Sequence, residues 1–268
     1  MKFTFGFIGC GNMGGALARA AAQGNPDMPV GLCDHFAEKA EAIAAEFGNA
    51  QAVSLPELVA ESRYLFIGVK PQMLEALFGQ IRELLAARKE KPVLVSMAAG
   101  TSIEKIRGLA GSELPVIRIM PNTPAGVGKG MILYAPGPGV SREQEAFFTE
   151  AMGAAGLLDS LEEGKIDAAS AVSGCGPAFV YMFAEALADG AVECGLPRDK
   201  ALRYAAQTLE GAAEMLLRTG QHPGALKDAV CSPGGTTIAG VHALEDRGFR
   251  GAVMEAVKAA YDRTLALK

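Results

Sequence analysis

The residues best suited to chemistry form one stretch near the end of the chain, Val230 to Thr237, which reads V-C-S-P-G-G-T-T. Its two adjacent glycines have no side chain, so the backbone there can come close to a ligand. Hydroxyl side chains stand on both sides of the glycines, near N–H groups that a helix start would leave unpaired. These features predict a cradle for a small carboxylate, and a plain loop with a helix cap is the alternative. The glycines and hydroxyl residues are Gly234, Gly235, Ser232, Thr236 and Thr237.

A second group with the spacing of a binding site reads G-C-G-N-M-G near the start of the chain. It follows an apolar run, Phe3 to Ile8, and opens an alanine-rich segment, which predicts a strand, a tight turn and a helix. Gly9 permits the turn, Gly11 lets a pyrophosphate approach the backbone, and Gly14 lets helix and strand pack closely. The pattern predicts a dinucleotide site at the helix N-terminus, with a structural glycine turn as the alternative.

Asp34 stands at the end of the next predicted strand, twenty residues after Gly14. An acidic side chain there would hydrogen-bond a ribose 2′-hydroxyl, which favours NAD(H) over NADP(H). The other interpretation of Asp34 is a helix cap ahead of Phe36.

Further polar residues follow later predicted strands, where ligands bind in sheets of this kind. Lys70, between Val69 and Pro71, could face a phosphate or ribose, or it could simply be solvated. Asn122 and Thr123 could bind the nicotinamide carboxamide, or they could form a turn between their flanking prolines.

Composition restricts the classes of partner. The formal net charge of −5 and the pI near 5.4 argue against nucleic-acid and membrane-surface partners, which require a basic patch. The five cysteines form an odd set without C-x-x-C spacing, so we expect reduced thiols in a cytoplasmic protein, no disulfide framework and no metal site.

Strand and helix patterns alternate through the first half, and only helical patterns follow about residue 161. We therefore predict an α/β fold: an N-terminal Rossmann-type doubly wound parallel sheet followed by an all-α C-terminal domain. The expected domains are 1–160 for dinucleotide binding and 161–268 for substrate binding and dimerisation. The helices of the second half are rich in small apolar residues, which favours burial against another copy, with a well-packed monomer as the alternative.

The segment from Ala171 to Ala188 contains no Lys, His or Arg. Hydroxy-acid oxidation needs a group there that can move a proton at the carbonyl oxygen, so this chemistry is disfavoured. Hydride addition to a protonated carbon–nitrogen double bond needs mainly positioning and an anchor for a carboxylate.

Taken together, the motifs closely resemble the pyrroline-5-carboxylate reductase family, from Phe3 to Leu265. The motifs are F-I-G-C-G-N-M-G, V-K-P, S-M-A-A-G, M-P-N-T-P, S-G-C-G-P-A-F and H-P-G-A-L-K-D-A-V-C-S-P-G-G-T-T-I-A-G-V-H-A-L-E. The resemblance implies reduction of 1-pyrroline-5-carboxylate to L-proline with hydride from NAD(P)H, the last step of proline biosynthesis. It implies NADP(H) as cofactor, with NAD(H) as the alternative, and a homodimer with interlocked helical domains or a larger homo-oligomer.

The resemblance also implies site residues. Thr237 is the expected catalytic residue, close to the ring nitrogen. Substrate-binding positions are Glu163, Val230, Ser232, Gly234, Gly235, Thr236 and Thr237. Cofactor-binding positions, including those predicted above from the pattern, are Ile8, Gly9, Cys10, Gly11, Asn12, Met13, Gly14, Asp34, Ser54, Val69, Lys70, Pro71, Ala98, Asn122 and Thr123.

Asp34 and His35 stand where many members of that family carry Ser or Arg. The carboxylate of Asp34 would repel a 2′-phosphate unless His35 or Lys39 offsets its charge. The alternatives to the reductase are a hydroxy-acid dehydrogenase of similar architecture and a non-catalytic dinucleotide-binding protein.

Overall fold

The computed structural model describes residues 1–266 of the chain, and these form two compact units. The first unit contains Met1–Gly174 and the described chain from Tyr261 onward, and the second contains Cys175–Ala260. The division predicted above, 1–160 and 161–268, follows the end of the last strand at Ser160. It stays a prediction, and its last two residues lie outside the described residues.

An eight-stranded sheet forms the centre of the first unit, with the strand order β3-β2-β1-β4-β5-β6-β7-β8. Chain order reverses on either side of β1, which is the point where ligands bind in doubly wound sheets. The strands are β1 (Phe3–Ile8), β2 (Val30–Cys33), β3 (Ala50–Ala52), β4 (Ser62–Ile67), β5 (Val93–Ser96), β6 (Val116–Met120), β7 (Gly130–Pro136) and β8 (Gly156–Ser160).

The first six strands are parallel, as predicted, but β7 runs antiparallel to β6. The reason is the short connection, a single 3-10 turn at Thr123–Val127. A parallel neighbour requires a crossover of a dozen residues or more. β8 then pairs parallel to β7 after a helical crossover.

Twelve α-helices connect and follow the strands within the described chain. They are α1 (Asn12–Gly24), α2 (Ala37–Ala44), α3 (Leu55–Glu61), α4 (Leu74–Ala87), α5 (Ile103–Ala110), α6 (Arg142–Ala151), α7 (Ile166–Ser173), α8 (Gly176–Glu193), α9 (Arg198–Thr219), α10 (Pro223–Ala229), α11 (Thr236–Asp246) and α12 (Phe249–Leu265).

Alternate residues of the central strands enter two separate apolar cores, one on each face of the sheet. Phe5 and Phe66 belong to one core, whereas their chain neighbours on the other face, such as Leu65 and Ile67, belong to the second. Both cores are fully closed to solvent at these residues. The sheet is therefore covered on both faces. The ends of its strands remain accessible for ligand binding.

The second unit buries few large side chains. Its described apolar core consists of Ala188, Ala201 and Ala205, where α8 packs on α9. Large apolar side chains of this unit are instead exposed, among them Met182 at 69% and Leu217 at 75%. Such a surface is typical of a protein–protein interface.

The helical run Glu163–Glu193 is long and apolar enough, by length and composition alone, to cross a membrane, and 11% of its most apolar window is buried. This is weak support for a membrane span, because an apolar helix that packs against a partner chain has the same composition.

Candidate functional site

At the end of β1, backbone segments of the first unit cross at very short distances. A Cβ atom on Gly14 would lie 2.0 Å from the carbonyl oxygen of Gly9. Gly9 has a φ of +95°, which favours glycine, and a Cβ there would lie 2.7 Å from the Gly68 oxygen. The chain itself therefore requires glycine at both positions, and the turn with its following helix is confirmed.

Gly11 differs from its two neighbours in the motif. Its φ of −71° suits any residue, and a Cβ placed on it would meet no atom within 4 Å. Gly11 is the residue that precedes α1. It has no side chain, so no side chain caps the first N–H groups of that helix. A backbone that is open here, at a helix N-terminus, fits a pyrophosphate held by N–H groups. Ile8, Cys10, Asn12 and Met13 complete this turn.

Asp34 lies beside the turn at the end of β2. One carboxylate oxygen accepts a hydrogen bond from the N–H of Cys10 at 2.6 Å, and the other accepts from the N–H of Phe36 at 2.9 Å. The second contact holds the bend that leads into α2, whose own start at Phe36 has no side-chain cap, so the helix cap that the sequence suggested as an alternative is not observed. The first contact, to the glycine turn, was not predicted, because no local pattern shows that two strand ends are adjacent.

The remaining cofactor candidates follow the ends of other parallel strands at the same edge. Val69 and Lys70 come after β4, and Lys70 precedes a 3-10 turn that begins at Pro71. Ala98 follows β5 and is buried. Ser54 follows β3 and caps α3 through a hydrogen bond from the N–H of Glu57. One sheet edge thus gathers candidates that are far apart in sequence.

Both the nitrogen and the oxygen of the Asn122 side-chain amide form hydrogen bonds within the fold. Its amide nitrogen donates to the oxygen of Ser173 at 2.9 Å, and its oxygen accepts from the N–H of Met131 at 2.8 Å. The residue is buried, whereas the adjacent Thr123 is exposed. Asn122 therefore ties the turn after β6 to β7 and to the end of α7, and a contact with the cofactor stays a prediction for both residues.

Glu163 lies in the first unit, in a partly buried ionic cluster that the sequence did not indicate. One of its carboxylate oxygens accepts from the N–H of Ile103, at the start of α5, at 2.7 Å. The same oxygen lies 3.5 Å from the guanidinium of Arg118, which also bonds Asp167 at 2.7 Å. Glu163 thus has a clear structural role, and its place in a substrate pocket stays a prediction.

The stretch Val230 to Thr237 forms a tight turn and the start of α11 in the second unit. Gly234 has a φ of +66°, and the N–H of Gly235 donates to the oxygen of Ser232 at 3.0 Å. A Cβ on Gly235 would lie 2.3 Å from the Ser232 hydroxyl, so a larger residue at position 235 would force that hydroxyl to move.

Gly235 is the residue that precedes α11, and it has no side chain to accept the N–H groups of the first turn. Thr236 and Thr237 begin the helix and are exposed, as is Val230 on the other side of the turn. N–H groups and hydroxyls at a helix N-terminus can bind a carboxylate. The candidate residues for substrate, apart from Glu163, are thus brought together.

Two of the five cysteines, Cys10 and Cys33, lie beside Asp34 and have raised pKa values. Burial, with the charge of Asp34 beside it, raises the pKa of the Cys10 thiol to about 12, so this thiol stays protonated at neutral pH. Burial likewise raises the pKa of Cys33. All five are free thiols, and residues 1–266 contain no group of three or more His, Cys, Asp or Glu side chains that could hold a metal ion.

Comparison with known families gives two matches. Residues 163–267 match the family described as pyrroline-5-carboxylate reductase dimerisation, and residues 4–100 match NADP oxidoreductase, coenzyme F420-dependent.

Two curated relatives match over essentially their whole length. Pyrroline-5-carboxylate reductase of Glycine max is 42% identical over 268 residues, which cover 99% of this chain and 96% of the relative. Pyrroline-5-carboxylate reductase of Escherichia coli (strain K12) is 38% identical over 266 residues, or 98% of each chain.

Two solved structures share the fold. The Plasmodium falciparum pyrroline carboxylate reductase with NADP bound superposes with a TM-score of 0.85 at 31% identity, covering 99% of this chain and 98% of the other. A pyrroline-5-carboxylate reductase of Coxiella burnetii gives a TM-score of 0.90 at 28% identity, covering 100% and 99%.

The different surroundings of Gly11 and Gly14 predict different effects of the same substitution. Gly11→Ala should fold with a stability within about 1 kcal/mol of the parent but lose at least about tenfold in NADH and NADPH affinity, because its Cβ occupies the open backbone. Gly14→Ala should lose about 2 kcal/mol or more, because its Cβ meets the Gly9 carbonyl. Urea denaturation and isothermal titration calorimetry measure the two effects. Parent-like dinucleotide affinity in Gly11→Ala would contradict the assignment.

Asn122→Ala should lower the free energy of unfolding by about 1–3 kcal/mol, because it removes the buried acceptor of the Met131 N–H. Thr123→Ala is the neighbouring control and should stay within about 0.5 kcal/mol of the parent. Urea denaturation at one protomer concentration measures both variants. Weakened dinucleotide binding without lost stability in Asn122→Ala would instead support a direct cofactor contact.

The raised pKa of Cys10 makes stability depend on pH. The folded state keeps this proton up to about pH 12, while the unfolded thiol ionises from about its ordinary pKa of 9.0, so the stabilisation is complete below pH 9 and is lost above it. Between pH 8 and pH 10 the parent should lose about 1 kcal/mol more than Cys10→Ser, which does not titrate there. Urea denaturation at both pH values tests this. Equal losses would show that the thiol does not contribute.

Proposed function

We propose that this chain is an NAD(P)H-dependent reductase that converts 1-pyrroline-5-carboxylate to L-proline, the last step of proline biosynthesis. The proposal starts from the family, because the chain belongs to the pyrroline-5-carboxylate reductase family. The single observation that carries the proposal within the structure is the turn at Ser232 to Gly235 with the uncapped start of α11. The turn contains two glycines, is closed by the hydrogen bond from the N–H of Gly235 to the oxygen of Ser232, and ends on N–H groups and threonine hydroxyls. This is what a small amino or imino acid needs as an anchor for its carboxylate.

The cofactor is a nicotinamide dinucleotide, and it supplies the hydride when bound. NADP(H) use is supported by the match to an NADP oxidoreductase family and by the NADP-bound relative, with NAD(H) as the alternative. In this chain the N–H groups after Gly11 would hold the pyrophosphate, and Asp34 would face the adenosine ribose. The positions after β4, β5 and β6 are proposed to contact the rest of the cofactor.

The substrate side of the proposal uses the second unit. N–H groups of the first turn of α11, with the hydroxyls of Ser232 and Thr236, bind the carboxylate. The hydroxyl of Thr237 orients the ring nitrogen, so that the carbon of the imine is held in one position. A protonated imine accepts hydride and becomes a neutral amine, so no side chain has to transfer a proton to a carbonyl oxygen. This agrees with α8, whose sequence contains no Lys, Arg or His.

We propose that the helical region 161–268 carries the dimer interface and that 1–160 carries the cofactor. The dimerisation family match covers residues 163–267. Support from the structure is the small alanine core of the second unit beside exposed Tyr181, Met182 and Met254. A homodimer or larger homo-oligomer would cover these side chains. The reduced cysteines support a cytoplasmic location.

Neither alternative function is supported by a specific observation. The hydroxy-acid dehydrogenase lacks its proton-transferring side chain on α8, and a non-catalytic protein would not need the open turn at Ser232 to Gly235. A spectrophotometric assay of NADPH and NADH oxidation with pyrroline-5-carboxylate tests the reductase directly. Reduction of NAD+ or NADP+ by hydroxy acids without any NAD(P)H oxidation by pyrroline-5-carboxylate, or no turnover of either kind, would contradict it.

Thr237→Ala should lower kcat/KM by about tenfold to a hundredfold, because the ring nitrogen loses its hydrogen-bond partner. Cofactor affinity should stay within about twofold of the parent, since the substitution leaves the glycine turn intact. Thr237→Ser keeps the hydroxyl and is the matched control, for which we expect most of the activity. Steady-state kinetics and calorimetric titration of NADPH measure the two quantities. Full activity in Thr237→Ala would remove this residue from the mechanism.

A further inference from the structure

A cavity of about 290 Å³ opens beside the end of β2. Asp34 and Glu41 contribute the two carboxylates of its lining, and Ser54 contributes a hydroxyl. The rest of the lining is small or apolar, with Ala37 and Ala40 on the side of α2. Lys, Arg and His are absent from the described residues that line this cavity.

The position of the cavity identifies which part of a dinucleotide it would receive. In a doubly wound sheet the pyrophosphate lies at the glycine turn, and the adenosine ribose lies at the end of the second strand. Here the two places are joined directly, because the Asp34 carboxylate accepts the N–H of Cys10 from the turn. The cavity therefore corresponds to the ribose, where NADH carries a 2′-hydroxyl and NADPH carries a 2′-phosphate.

The basic side chains near the carboxylates of Asp34 and Glu41 contact other residues. The ammonium group of Lys39 lies over the Phe36 ring, 4.7 Å from its centroid. His35 packs its ring against the same phenylalanine, at 5.1 Å between centroids. Arg19, on α1, donates two hydrogen bonds to Glu46, at 2.6 and 2.7 Å. Each of these side chains is already engaged.

The oxygens of Asp34 can still serve a hydroxyl. Each accepts one backbone N–H, and a carboxylate oxygen has room for a second donor. A ribose 2′-hydroxyl would donate to it, whereas a 2′-phosphate, with a charge of about −1.5 to −2, is repelled by both carboxylates.

We propose that Asp34 and Glu41 make this chain bind NADH more tightly than NADPH. The proposal rests on the proposed function, since it concerns the cofactor of that reaction. It is compatible with use of either cofactor. The two carboxylates change the ratio of the NADH and NADPH affinities, but they do not block the cavity for either dinucleotide.

The test is binding without substrate, measured by calorimetric titration of NADH and NADPH and of the fragments adenosine 5′-monophosphate and adenosine 2′,5′-bisphosphate. The parent should bind NADH at least about fivefold more tightly than NADPH, and the two fragments should show the same order. The ratio should move toward one as salt rises from about 0.05 M to 1 M, because salt screens the repulsion.

Glu41→Lys is the decisive variant, because Glu41 is exposed and its replacement leaves the hydrogen bonds of Asp34 in place. It should improve NADPH affinity about threefold to tenfold relative to NADH. Glu38→Lys is the matched control, since Glu38 is exposed on the same helix but does not line the cavity. It should change the ratio by less than about twofold. Asp34→Ser should also shift the ratio toward NADPH.

Two results would overturn the proposal while the proposed function stands. One is a parent chain that binds NADPH as tightly as NADH or more tightly. The other is an equal change of ratio in Glu41→Lys and Glu38→Lys, which would mean that only the overall charge of the helix matters. If neither dinucleotide binds, the proposed function itself fails.

Discussion

The close crossing of three backbone segments at the end of β1 is the constraint on which the rest of the cofactor edge depends. Gly14 and Gly68 both approach the carbonyl oxygen of Gly9, at distances where a Cβ atom would lie 2.0 and 2.8 Å from it. This contact brings the start of α1 against the ends of β1 and β4. Because β2 lies on the other side of β1, Asp34 is placed beside the same turn and can bond Cys10. Larger side chains at the crossing would separate all of these elements.

The helices of this chain begin in two ways, with a capping side chain or without one. Serine caps begin α3, α5 and α6, with the hydroxyls of Ser54, Ser102 and Ser141 accepting an N–H of the first turn. The helices α1 and α11 begin after Gly11 and Gly235, which have no side chain for this purpose. A capped helix is stabilised by its own sequence, whereas an uncapped one keeps N–H groups available for an anion. The helices α2, α4, α7, α8 and α9 also begin without a side-chain cap, so an uncapped start does not mark a site by itself. The starts of α1 and α11 are the two of this kind that lie in the motifs proposed for the cofactor and the carboxylate.

Apolar runs predict strands at Phe3 to Ile8, Val30 to Cys33 and Val116 to Met120, and apolar periodicity predicts a helix at Thr236 to Asp246. These are the bounds of β1, β2, β6 and α11 in the structure. Those segments have strong apolar runs or clear glycine and proline boundaries. The patterns missed β3, which has only three residues, together with the short helices α3, α7 and α10, since such segments contain too few turns to show a period. The direction of β7 was missed because it depends on the length of a turn.

Side-chain partners were harder to predict than elements. The side chain of Asn122 bonds residues nine and fifty-one positions away. The ion pair of Glu163 reaches back forty-five positions to Arg118, and its hydrogen bond from the N–H of Ile103 reaches back sixty. No local pattern records such pairs. The sequence therefore indicated that these residues matter, but it assigned to ligands two side chains that the fold itself uses.

Asp34 shows why one residue is not free to set cofactor preference alone. Its carboxylate holds the glycine turn and the entry to α2 at the same time as it faces the cavity. A substitution that removed both oxygens, such as Asp34→Ala, would also leave the N–H of Cys10 without its acceptor, at a cost of about 1–3 kcal/mol. Glu41 lines the same cavity from the exposed side of α2. A substitution at Glu41 can therefore change the preference between NADH and NADPH with little loss of stability. A substitution at Asp34 would also disturb the turn that its carboxylate supports.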